Sequence, residues 1–121
     1  MKTLLAVLLV AAAMLAAPAQ AVDGNELYKW GKEWKRSDTQ NSRDAGSFTG
    51  YVQGFIDLHT DLSDREIGII KTKLFCLPVS AQPARAFDSV MRYLEAHPEK
   101  HRFTASSLVA SALWEAFPCD R

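Results

Sequence analysis

From residue 23 onward, apolar positions recur along the chain with a helical period. Asp23, with Glu26 three positions on, reads as a capping-box helix start in which Asp replaces Ser or Thr. Leu27, Trp30, Gly31 and Trp34 then share one stripe, and Lys29, Lys32, Glu33, Lys35 and Arg36 form the solvated face. The polar stretch Ser37 to Arg43 carries no period and predicts a loop. A second helix is expected from near Asp44 to about Leu58, with Phe48, Tyr51, Val52, Phe55 and Leu58 facing inward. Gly46, Gly50 and Gly54 repeat every four residues beside that stripe. Each glycine costs a helix about 1 kcal/mol relative to alanine. Close approach of another helix backbone is the expected compensation, which would make this the central, most buried helix.

Ile67, Ile69 and Ile70 beside Gly68 fit either a short extended piece or a brief helix, so the conformation of Ile67 to Lys73 stays open. Leu74, Phe75 and Leu77 around Cys76 read as buried, and Pro78 as a turn. Ser80 is the expected N-cap of a third helix, with Pro83 in its first turn. Phe87, Val90, Met91 and Leu94 form its core face with Ala84 in line, and Arg85, Asp88, Arg92 and Glu95 lie outside. Pro98 ends this helix at or before His97. Thr104 caps a fourth helix whose stripe is Leu108, Val109, Ala112, Leu113 and Ala116, with Trp114 on its flank. No strand series is apparent. The pattern predicts an all-α fold, a small bundle of about four helices.

Residues 1–21 stand outside this pattern. Lys2, the apolar run Leu4 to Ala17, Pro18 and the small-x-small Ala19-Gln20-Ala21 have the layout of a cleaved signal peptide. The run is shorter than the roughly 18 to 20 residues of a spanning helix, an uncleaved anchor being the alternative. The expected division is a signal peptide at 1–21 and one helical domain at 22–121, exported and not inserted in the membrane after cleavage.

The chain has 14 Lys+Arg and 14 Asp+Glu, and since only Lys2 lies in the leader, the mature charge is −1. That balance argues against the concentrated positive face needed for nucleic acid and disfavours a polybasic membrane patch. The two cysteines, Cys76 and Cys119, flank the last two helices. In an oxidising compartment such a pair forms a disulfide, with two buried free thiols as the alternative. It would staple the helical hairpin at its open ends.

Candidate chemistry is sparse. Asp57, His59 and Asp61 invite a metal reading, but on a helix His59 points away from the other two, and a solvated helix end and turn is the plainer account. His97 and His101 are separated by Pro98, which breaks the shared helical face a zinc pair requires. No cofactor and no enzymatic activity are expected. The corner His97-Pro98-Glu99-Lys100-His101-Arg102, presented between two helices, suits recognition of a protein partner, a merely solvated turn being the alternative. Glu99, Lys100, His101 and Arg102 are the candidate contacts, with the Asp57 to Arg65 turn next.

Five motifs carry a resemblance: D-G-N-x-L at Asp23 to Leu27, G-Y-V-x-G-F-x-D at Gly50 to Asp57, F-C-L-P at Phe75 to Pro78, Y-L-E-A-H-P-E at Tyr93 to Glu99 and A-F-P-C at Ala116 to Cys119. Together they resemble the type VI secretion amidase immunity (Rap/Tai) family across essentially the whole mature chain. The resemblance implies a small helical periplasmic protein, commonly a homodimer, that binds a peptidoglycan amidase effector and blocks its active site. Family members usually carry cysteines at the positions of Gly31 and about Phe48. Their joint absence here supports pairing of the remaining two, and leaves Trp30, Trp34 and Phe48 to hold the first two helices together by packing. Pro83 also stands where the family often has glutamine. The alternative function is a small periplasmic helical stress chaperone.

Overall fold

A computed structural model describes Met1, Thr3 and residues 20–36, 38 and 42–120. The core of the predicted leader and most of the polar stretch after the first helix lie outside the described residues. Helix α1 (Gly24–Lys35) starts at Asp23, whose carboxylate accepts the Glu26 N–H at 3.0 Å. That bond holds the Asp23 carboxyl below its usual range. The Glu26 carboxylate turns to Lys29 at 3.8 Å.

Helix α2 (Arg43–Leu62) starts at Ser42, whose hydroxyl accepts the Ala45 N–H at 3.1 Å, and continues four residues beyond the predicted end. Its buried stripe is Ala45, Phe48, Val52, Ile56 and His59. Tyr51 and Phe55 are half-buried on its edge, and Leu58 is exposed. The apolar arc of α2 is wider than the contact it makes, and neighbouring helices decide which edge of it faces inward. Gly46, Gly50 and Gly54 are exposed, and a Cβ at any of them would meet nothing within 4 Å. The expected close approach occurs instead in α1. At Gly31 a Cβ would meet Met91 Sδ and the Phe48 ring edge at 3.0 Å.

Helix α3 (Pro83–Ala96) begins after Gln82, and Ser80 stands outside it. It buries Ala86, Ser89, Val90, Met91, Tyr93 and Leu94, six of 14 residues against five of 20 in α2. Thus α3, and not α2, is the most buried helix for its length, while Ala84 is exposed. A 3-10 turn (Pro98–Lys100) leads to helix α4 (Ala105–Ala116), which buries Ala105, Leu108, Val109, Ala112 and Leu113. Ala116 and Trp114 are exposed. Thr104 is the N-cap residue of α4, but its hydroxyl bonds to Ser107 Oγ at 3.2 Å and not to a helix N–H.

Helix α1 packs chiefly on α2, and α3 chiefly on α4. Leu27, Phe48, Val52, Val90, Met91, Leu94, Val109 and Leu113 join the two pairs at the centre, each contributing about 1.5–3 kcal/mol by burial. Aromatic edges seal the α1 side, where Trp34 lies 5.4 Å from Phe48 and 5.6 Å from Phe87. The packing contact between α1 and α2 expected in place of a missing disulfide is therefore present.

Residues 63–82 contain neither helix nor strand, with Gly68 at φ 53°. Leu74 is exposed, contrary to expectation, and Phe75 is buried. Cys76 and Cys119 form a disulfide (S–S 2.05 Å), beside which the Cys76 N–H donates to the Phe117 carbonyl at 2.8 Å. Among the described residues no helix is long and apolar enough to cross a membrane.

Candidate partner-binding corner

The corner between α3 and α4 is set by Pro98, which disfavours helical geometry at His97; His97 sits at φ −128°, ψ 59°. The chain then tightens through Lys100 N–H to His97 O at 3.0 Å, and Phe103 N–H to Lys100 O at 2.9 Å. The stretch Val22 to Asn25 clamps this corner from the side. Gly24 N–H donates to Phe103 O at 2.9 Å, Asn25 N–H to His101 O at 3.1 Å and Ala105 N–H to Val22 O at 2.8 Å. Asp23 and Thr104 form an isolated antiparallel bridge at the same place. Only glycine fits at position 24, because a Cβ there would meet His101 Cα at 2.7 Å and its carbonyl oxygen at 2.8 Å.

The four candidate contacts separate into two roles. His101 is 8% exposed, its Nε2 donates to the Leu94 carbonyl at 2.8 Å, and Tyr28 lies 4.8 Å from its ring. It supports the corner from inside, and as folded it offers a partner no surface. Its neighbours point outward because the short 3-10 turn distributes successive side chains around its axis. Glu99 and Arg102 are exposed and Lys100 half-buried.

Local bonds orient these charges. His97 Nδ1 lies 3.3 Å from Glu99 Oε1. The Glu99 carboxyl is held below its usual range, first by its own backbone N–H and then by His97. Lys100 Nζ donates to the Tyr93 hydroxyl at 3.0 Å, which raises the Lys100 pKa. The Tyr93 ring is itself 4.4 Å from the His97 ring. Arg102 lies 5.0 Å over the ring of Phe103, an exposed aromatic that sequence reasoning passed over. An apolar residue immediately after a charged corner and before a helix cap was the available signal.

The Asp57 to Arg65 stretch is the solvated helix end and turn expected, except at His59. Asp57 and Asp61 are exposed on α2, but His59 is buried and committed to Leu74 and Phe75. The helix brings Asp57 to Gln53 at 2.8 Å and turns His59 the other way.

No curated protein and no solved structure is significantly similar to the chain. The family model of the Rap1a immunity proteins matches residues 23–119, which run from the α1 cap to the second disulfide cysteine, and the chain belongs to that family.

Proposed function

We propose that the protein is exported to the periplasm, binds a type VI secreted peptidoglycan amidase and occludes its active-site cleft. Membership of the Rap1a immunity family over residues 23–119 is the observation that carries this reading. The corner geometry supports it. Its backbone is bonded on both sides, so little backbone ordering entropy is left to be lost on binding. Glu99, Lys100 and Arg102 act as surface contacts, and His101 holds the backbone beneath them. The protein acts by contact and transforms no substrate. Residues 1–21 serve as the leader, residues 22–121 form the binding domain, and a homodimer is the expected assembly, to be checked by light scattering.

The test mixes the mature chain with a type VI peptidoglycan amidase, sought first among the products of genes neighbouring its own, and follows cleavage of purified cell wall. Stoichiometric inhibition is expected, relieved by Glu99→Lys or Lys100→Glu. Undiminished cleavage in the presence of excess mature chain would overturn the proposal.

A further inference from the structure

Phe103 is 46% exposed although its backbone is bonded at both ends, N–H to Lys100 and carbonyl to Gly24. The chain thus displays an aromatic ring on a rigid mount. The Arg102 guanidinium, 5.0 Å from the ring centroid, lies over it, an arrangement that restricts both side chains. Among the described residues Arg102 forms no ion pair with a carboxylate.

The other corner charges are poor sources of affinity. Exposed ion pairs contribute about 0–1 kcal/mol each, whereas interface energy concentrates in desolvated aromatic and arginine anchors. Phe103 is the large exposed apolar side chain on this corner. Leu58 lies on α2, Ile67, Ile69, Leu74 and Val79 on residues 63–82, and Trp114 well along α4.

We infer that Phe103, with Arg102 stacked on it, is the anchor of the partner surface: its ring enters an apolar pocket on the effector protein, and a carboxylate at the pocket rim pairs with Arg102. The inference rests on the effector-binding reading above and adds the chemistry of the partner's complementary site. The charge follows from a guanidinium that has no carboxylate partner among the described residues, and the apolar pocket from a ring left 46% exposed.

Calorimetric titration of the mature chain against the amidase that it inhibits in the assay above tests it, with thermal melting of each variant as the control for folding. Phe103→Ala should weaken binding by about thirty-fold or more, the range of an anchor residue. Phe103→Leu, which keeps apolar volume, should lose far less. Phe103→Lys, tolerated at an exposed position, should abolish binding even if the alanine variant proves poorly folded. Arg102→Gln should weaken binding several-fold, and Val79→Ser should leave it unchanged. If Phe103→Ala and Phe103→Lys bind like the parent while Glu99→Lys or Lys100→Glu binds weakly, the anchor is refuted and the corner reading stands. If the parent chain itself does not bind the amidase, the functional reading fails, and the anchor with it.

Discussion

The N–H of Leu74 donates to Nε2 of His59 at 3.0 Å, across 15 residues of chain. The imidazole is 6% exposed and stacks on Phe75 with ring centroids 4.1 Å apart. A ring nitrogen that accepts a hydrogen bond carries no proton, so this contact belongs to the neutral imidazole. One side chain thereby ties α2 to the irregular segment that delivers Cys76 to the disulfide.

Acid should therefore loosen this tie. Burial, and secondarily the Lys73 ammonium, hold the His59 pKa below its ordinary 6.5. The unfolded chain binds the proton more readily, so the contribution is complete above about pH 6.5 and is lost as pH falls through the lower folded value. Asp23 and Glu99, whose pKa values are depressed from 3.8 and 4.5, act only in more acidic solution. Melting temperature should fall between pH 7 and 5, and His59→Phe should flatten that slope. An unchanged slope in the variant would remove His59 as its source.

Alanine substitution at the glycines should split by helix. Gly54→Ala on the open face of α2 should stabilise the protein by about 0.5–1 kcal/mol through helix propensity. Gly31→Ala should destabilise it by about 1–3 kcal/mol, the usual cost of overpacking a filled core, because Met91 and Phe48 occupy the space. Gly24→Ala meets backbone at His101, which cannot rotate away, and should also weaken effector binding by displacing the corner. Urea titrations of the three variants provide the comparison.

Replacing both cysteines with serine should lower stability by about 4 kcal/mol, on the chain-entropy estimate for this loop. The sequence separation is 43 residues. The Cys76 N–H to Phe117 carbonyl bond remains available, so a folded but weaker protein is expected. Denaturation with and without reductant should reproduce the same difference in the parent chain.

Tyr93→Phe removes the hydroxyl that accepts from Lys100 while retaining a ring that is 7% exposed. The Lys100 pKa should drop back toward 10.5, its ordinary value, as read by NMR titration of the ammonium nitrogen. Affinity for the partner effector should fall several-fold with little change in melting temperature. Parent-like affinity would show that this bond does not position Lys100 for the partner.

Helix existence was legible because period, caps and prolines are local signals. Asp23 predicted the start of α1, Pro98 the end of α3 and Leu108 to Leu113 the buried face of α4. Which glycine is crowded was not legible. Regular spacing drew attention to Gly46, Gly50 and Gly54, yet crowding depends on what a different helix places opposite. His101 was misplaced for the same reason, since its burial comes from Tyr28 and the start of α1, more than seventy residues earlier.

By itself the sequence determined an all-α fold of about four helices from residue 23 onward, their approximate limits and the family to which the five motifs point. All of these follow from residue spacing within one segment or from the order of segments. Tertiary structure alone decided that α3 is the most buried helix for its length, that His59 and His101 turn inward, and that Phe103 stays outside. Those outcomes depend on which surfaces meet across distant parts of the chain, and helical periodicity in one segment carries no information about its neighbours.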